Sequence, residues 1–394
     1  MTAMLTPAAP VSAPTLAEAR ARLQAVEAGL NAAFTERKGE VRSLTTALVA
    51  GEHVLLLGPP GTAKSALTHA FCTATIGGTF FEVLMTRYTV PEEVFGPISL
   101  AGLEHDKYER ITAGYLPSAN GGFLDEIFKA NSSILNALLT ILNEKAFDNG
   151  GKRTQVPLDI CVGASNELPT DDALNALYDR FLLRHWVEPV KARGEVRKLL
   201  MQRGAPKMTA RLQAGDLDVL RTAAAQVKVT DEVADILLDL KDTLAREHGV
   251  VCSDRRWRKM VELVCARAAI RGDAQTGKAD VMVLADAIWR TPDERPTVQA
   301  TVAKAVSPDL GSALRILDAA TDMFSKIDKN SKSGTDTAKL AQASAELNKM
   351  ANQIKNLSGF KDDTGIQEAH QRVDGMRMEV AKTAAAALGL TGTF

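Results

Sequence analysis

The stretch Gly58-Pro59-Pro60-Gly61-Thr62-Ala63-Lys64-Ser65 constrains this chain more than any other feature. It follows a short apolar run, His53 to Leu57, and opens a helical pattern, so it joins a strand to a helix. There the glycines let the backbone turn until successive amides point inward, which makes a nest for phosphate oxygens at a helix N-terminus. A lysine at the helix start reaches the β- and γ-phosphates of a nucleotide, and a hydroxyl beside it holds Mg²⁺. Lys64 and Ser65 fill those places. The strict pattern has glycine directly before the lysine, where this chain has Ala63. Alanine accepts helical dihedrals well and left-handed ones poorly, so Ala63 is acceptable if that position already belongs to the helix. Taken alone, the segment also reads as a glycine–proline turn with an incidental lysine.

A second signal lies downstream. Gly122-Phe123-Leu124-Asp125-Glu126-Ile127 ends an apolar run in adjacent acids. A charge at the end of an apolar strand is costly unless a cation or donor meets it, and Mg²⁺ opposite Ser65 supplies one. In phosphate-loop ATPases the first acid helps to hold the metal and the second polarises the attacking water. Asp125 is therefore the metal candidate with Ser65, and Glu126 the catalytic candidate. The plainer alternative is a solvated acidic pair at a helix start, where acids suit the dipole. The order of the two motifs favours the metal.

The chain has 394 residues. Single cores rarely exceed ~250–300 residues, so two or three domains are expected. Apolar residues make up 45% and charged residues 24%, with a formal net charge of -1. That balance supports a sizeable core and gives no electrostatic grip on nucleic acid or an anionic membrane. Cys72, Cys161, Cys252 and Cys265 form no CxxC pair, which points to buried thiols in a reducing, cytoplasmic setting and away from zinc or disulfides. No apolar run approaches the ~18 residues of a membrane span, and the N-terminus lacks a signal-peptide layout.

The Pro- and Ala-rich residues 1–14 read as a mobile tail. Thr15 and Glu18 form a capping box before a helix bearing Leu16, Leu23, Val26 and Leu30. A second helix runs from Glu36 to Ala50 and ends at Gly51. Strand candidates follow at His53–Leu57, Phe80–Met85, Gly122–Asp125, Ile160–Ala164 and Leu182–Val187, with helices between them. That alternation predicts an α/β core with a parallel five-stranded sheet covered on both faces and a nucleotide at the carboxyl ends of its strands. Only helical periodicity is visible from Gly215 to Arg290. Beyond Pro292 and Pro296, about three long helices fill Val298 to Phe394, broken near 330–335 and 359–364. The expected division is an αβ core over 15–204, an all-α lid over 205–292 and a helical C-terminal domain over 293–394.

Ile160 to Pro169 resembles the sensor 1 strand of AAA+ ATPases, which implies that Asn166 orients water between the acids and the γ-phosphate. A turn-forming asparagine is the alternative. Asp179-Arg180-Phe181 resembles the arginine-finger segment of the MoxR, magnesium-chelatase and replicative-helicase group. Arg180 would then stabilise transition-state charge at a neighbour's γ-phosphate. Otherwise it is a structural Asp–Arg pair, worth only ~0–1 kcal/mol if exposed. Ser253-Asp254-Arg255-Arg256-Trp257 resembles sensor 2, a lid cation that contacts nucleotide in cis. Arg255 is the first choice and Arg256 the reserve, with a surface ion pair as the alternative.

Taken together, these motifs and the stretches Leu84–Tyr88, Pro91–Pro97 and Gly114–Pro117 resemble MoxR proteins from about residue 15 to 292, above all the branch of regulatory ATPase variant A. In that branch alanine before the lysine is usual. The resemblance implies an AAA+ P-loop core that binds ATP through Gly58, Pro59, Pro60, Gly61, Thr62, Ala63, Lys64, Ser65 and Ala66, with Arg255 from the lid. It implies Mg²⁺ on Ser65 and Asp125, a homo-hexameric ring and hydrolysis to ADP and phosphate using Lys64, Glu126, Asn166 and Arg180. It further implies chaperone-like remodeling of a protein client beside a partner with a von Willebrand factor A domain. Ile98 to Thr112 is where the family carries a hairpin inserted in helix 2, often facing the central pore. The well-known branch member has a β-rich insertion in its tail that docks on a decarboxylase. No such insertion fits here, so that partner is not carried over. Two other readings stay open: a nucleotide-gated scaffold with little turnover, and a nucleic-acid motor, which the near-neutral charge disfavours.

Overall fold

The computed structural model describes residues 14–169, 172–191, 193–201, 208–325, 327, 334–361 and 364–387. Of the expected tail only Pro14 is among them. The chain forms two compact units, Met1–Thr230 with Cys252–Ala287 and Asp231–Val251 with Ile288–Phe394.

The first unit is built on strands β1 (Val54–Leu57), β2 (Phe80–Leu84), β3 (Gly121–Asp125), β6 (Ile160–Ser165) and β7 (Leu183–Trp186). They form one sheet in the order β2-β3-β6-β1-β7, and every neighbouring pair is parallel. All residues of β1 and β6 are buried. Such continuous apolar strands are what a central place, covered on both faces, requires. Thr15 caps the helix Leu16–Ala33, accepting at Oγ1 from the Glu18 amide while Glu18 Oε2 accepts from the Thr15 amide. The helix Lys38–Ala50 ends at Gly51, whose φ of 72° is the left-handed cap glycine provides.

A second sheet was not legible in the sequence. β4 (Ala146–Asn149) and β5 (Lys152–Gln155) pair antiparallel. Gly150 and Gly151 join them with φ of 60° and 77°, the two-residue turn that matches strand twist. Gly150-Gly151 is a recognised two-residue hairpin signal, but β5 is exposed throughout and lacks the apolar alternation that marks a strand. Between Ile98 and Thr112 there is one antiparallel bridge, Ile98 to Arg110, around a short helix, Leu100–Leu103. Arg110 fixes its base by donating to Glu92 Oε1 at 3.0 Å and Gly96 O at 2.8 Å.

The stretch expected as one lid over 205–292 divides between the units. Helices Asp216–Gln226 and Asp254–Arg271 stay in the first, where Leu220, Ala266, Ala269 and Ile270 bury against Ala19 and Leu23 of the first helix. Helix Asp231–His248 belongs to the second, packed against helix Arg295–Val306. A stripe such as Val233, Leu237, Leu240 and Leu244 announces a buried face without naming what covers it. The second unit also holds helices Pro308–Ser325, Gly334–Lys355 and Thr364–Ala387. With Arg295–Val306 these make four α-helices among the described residues where about three were expected, because Pro308 opens a new helix after the extended Ser307. No strand occurs among the described residues of this unit.

Candidate functional site

Three neighbouring strands discharge their chemistry at one edge of the sheet. β3, β6 and β1 lie side by side. Adjacent strands are ~4.8 Å apart, so residues leaving their exit ends fall within side-chain reach. From β1 comes the loop Gly58–Ala63, from β3 come Asp125 and Glu126, and from β6 comes Asn166. Lys64 Nζ donates to Gly58 O at 2.7 Å, Pro59 O at 2.9 Å and Asn166 Oδ1 at 3.0 Å. Ser65 Oγ stands 3.5 Å from Asp125 Oδ2. Asn166 Nδ2 donates to Glu126 Oε1, and Glu126 Oε2 lies 3.4 Å from Lys129 Nζ.

The electrostatics leave room for a charged ligand. Lys64 is buried, and its ion is met by two carbonyls and an amide oxygen, with no carboxylate in contact. Burial pushes its pKa down although Asp125 and Glu126 pull it up. Burial likewise raises the Asp125 carboxyl, opposed by the Glu126 amide, Lys64 and Ser65. Both charged forms are under-solvated, and a magnesium triphosphate would complete both. The hydroxyl of Ser65 and the carboxylate of Asp125 are hard oxygen donors of the kind Mg²⁺ takes.

The backbone of the loop after β1 is tightly constrained. Gly58 has φ 134°, and a Cβ there would lie 2.4 Å from Val187 O, so only glycine fits where β1 and β7 end together. Ala63 does not meet the helical condition. It is left-handed, φ 68° and ψ 23°, and precedes the helix Lys64–Thr75 as its N-cap instead of belonging to it. Left-handed backbone costs an L-residue ~1–2 kcal/mol, held here because the loop must turn before the lysine. Ala63→Gly should therefore raise apo stability by about 0.5–1 kcal/mol, after allowance for the extra freedom glycine has when unfolded. The urea midpoint of the ligand-free protein measures it. Glu126 is also left-handed, φ 52°. Strain of this kind clusters at functional sites.

Arg37 escaped the sequence reading. It is 5% exposed, and its Nη2 donates to Thr62 O at 3.2 Å and Glu188 O at 2.6 Å, which braces the phosphate loop from below. Glu36-Arg37-Lys38 carries no signal for this; it looks like an ordinary solvated helix start. Arg37→Met leaves both carbonyls unpaired, a loss of about 1–3 kcal/mol, and should weaken nucleotide binding about tenfold in a fluorescent-nucleotide titration.

Arg180 and Arg255 lie elsewhere. Leu183 pairs with Val54 at the start of β1, whereas the phosphate loop leaves its other end. Arg180, just upstream of Leu183, is thus at the entry end of strands ~13 Å long. Arg256 Nη2 donates to Leu182 O at 2.8 Å, so the start of helix Asp254–Arg271 is there too. Arg255 is exposed and donates to Asn143 Oδ1 at 2.6 Å. It lies close enough to Arg180 to depress that guanidinium, second only to burial. The expected contact of Arg255 with the nucleotide of its own chain is not what this placement offers. Arg256, the reserve choice, is spent on the carbonyls of Leu182 and Ala287.

A model of the MoxR domain in MoxR-vWA-beta-propeller ternary systems matches residues 21–223, more than half of the chain. The chain belongs to the MoxR family of AAA+ ATPases. An AAA lid model matches residues 232–302 of this MoxR protein, a span that takes in parts of both compact units. It is 37% identical to an uncharacterized protein of Methanocaldococcus jannaschii, over 91% of this chain and 98% of the relative. It is 28% identical to the chaperone MoxR1 of Mycobacterium tuberculosis, over 50% of this chain and 53% of that one. A crystal structure from Cytophaga hutchinsonii, itself assigned as an ATPase, aligns with a TM-score of 0.58 at 16% identity, covering 73% of this chain and 96% of the other. That likeness carries the AAA+ fold alone. Among the described residues no helix is long and apolar enough to cross a membrane.

Proposed function

We propose that this MoxR protein hydrolyses ATP to ADP and phosphate in a homo-hexameric ring, and that closure of the ring interfaces remodels a protein client. What supports hydrolysis above all is the pairing of Asn166 with Glu126 beside Lys64 and the Ser65–Asp125 pair. Lys64 and the backbone N–H groups of Gly61 to Ala66 bind the triphosphate, in a loop that Gly58, Pro59 and Pro60 shape. Ser65 and Asp125 would hold Mg²⁺, which would supply neutralisation of phosphate charge. Glu126 takes the proton of a water that Asn166 helps to aim. Arg180, too far along the strands to reach its own loop, serves the neighbouring subunit's γ-phosphate. Arg255 lies beside it, which supports a role on the same trans edge in place of the cis contact.

The match to the MoxR domain of MoxR-vWA-beta-propeller ternary systems supports a partner of that kind. A von Willebrand factor A domain protein is accordingly the proposed partner, and the similarity to the chaperone MoxR1 supports a protein client. Within the family, the quoted motifs favour kinship with the regulatory ATPase variant A branch. The test is a pull-down with Glu126→Gln held with ATP. A protein retained with ATP and released without it is the expected result; recovery of nothing that depends on nucleotide would overturn the remodeling role.

A further inference from the structure

The loop that carries Arg180 is gripped by two buried guanidiniums from different elements. Arg184, on β7 and 0% exposed, stacks 3.9 Å over the Tyr178 ring. It donates from Nε to Phe181 O at 3.2 Å, and from Nη2 to Tyr178 O at 3.3 Å and Asp179 Oδ1 at 3.2 Å. Arg256 approaches from the first turn of helix Asp254–Arg271. Its Nη2 reaches Leu182 O at 2.8 Å, and its Nη1 stands 4.0 Å from the same Asp179 oxygen. These contacts fall on both sides of Arg180, whose own Nε is buried with no partner. Two buried cations sharing one carboxylate are a costly way to stabilise a fold, since apolar side chains of similar volume commonly do at least as well. What such an arrangement provides is a fixed loop geometry, and a finger is sensitive to misplacement on the scale of ~1 Å.

We infer that Asp179, Arg184 and Arg256 position Arg180 for its neighbour's nucleotide, and that Arg256 ties this loop to the helix bearing Arg255. The inference rests on the trans role of Arg180 proposed above. Arg256 is a positioning residue: its guanidinium bonds the carbonyls of Leu182 and Ala287 and stands beside Asp179, so a movement of its helix moves the finger loop with it.

The test uses the full chain with Arg256→Lys, which keeps charge but not the fork that spans Leu182 and Ala287, and Asp179→Ala, at a side chain 60% exposed. Each variant is assayed alone and in mixed assemblies with Lys64→Ala subunits, which have a dead phosphate site and an intact finger edge. We expect kcat to fall about 10²-fold while ATP affinity stays within about twofold, with activity recovered in the mixture. Recovery also shows that the variant subunits fold and assemble. Turnover like that of the unaltered protein, an ATP affinity lost in step with kcat, or no recovery in the mixture would overturn the inference. Arg180→Ala in the same mixture separates the two levels. If it recovers and the positioning variants do not, the clamp alone is wrong; if it does not, the trans finger fails and the clamp with it.

Discussion

Arg180→Ala should lower turnover by about 10³-fold or more, the range removed with a trans arginine from a phosphoryl-transfer site. At about 1.4 kcal/mol per factor of ten this is roughly 4 kcal/mol of transition-state stabilisation. No surface Asp–Arg pair could supply that, since exposed pairs contribute ~0–1 kcal/mol. ATP affinity per subunit should be unchanged, because Arg180 lies at the entry end of the strands and the phosphate loop at the exit end. Thermal stability should not fall either: the Arg180 Nε is already buried without a partner, so its removal leaves no acceptor orphaned. Steady-state phosphate release, nucleotide titration and thermal unfolding of one preparation check all three. Unaltered turnover would leave Arg180 with no part in the reaction.

Glu126→Gln should lower kcat by about 10²–10⁴-fold, the usual contribution of a positioned base. The amide is nearly isosteric, and its oxygen can still accept from Asn166 Nδ2, so the loop and its nucleotide affinity should persist. What it cannot do is take a proton from water. The variant should therefore retain ATP through isolation where the unaltered protein retains ADP, read by chromatography of the released nucleotide. Turnover within about threefold of the parent would move the base elsewhere and favour a nucleotide-gated scaffold.

The two motifs most legible in the sequence are those whose chemistry is carried by consecutive residues. Gly58 to Ser65 must be contiguous, because a nest of amides is made by neighbours along one chain. Asp125 and Glu126 are legible because acids interrupt an apolar strand. By contrast, β5 lacks a buried face, and Arg37 acts through carbonyls of Thr62 and Glu188 that lie far from it in sequence. Ala63 shows a finer limit. Alanine itself prefers helical dihedrals, while the turn the loop must complete places it left-handed.

The sequence alone determined that alternating strands and helices build a parallel sheet, and that a phosphate loop, an acidic pair and an asparagine follow one another along it. Periodicity and local turn chemistry suffice for that, because strand, crossover and loop are each encoded within a few residues. Only the tertiary structure decided that β6 lies between β3 and β1, so that Asn166 meets Glu126 and Lys64. It also decided that Arg255 joins Arg180 at the opposite end, that Arg256 is spent on buried carbonyls, and that helix Asp231–His248 packs with the C-terminal helices. Those outcomes depend on which apolar face finds which partner, and a stripe of leucines carries the same pattern whatever comes to cover it.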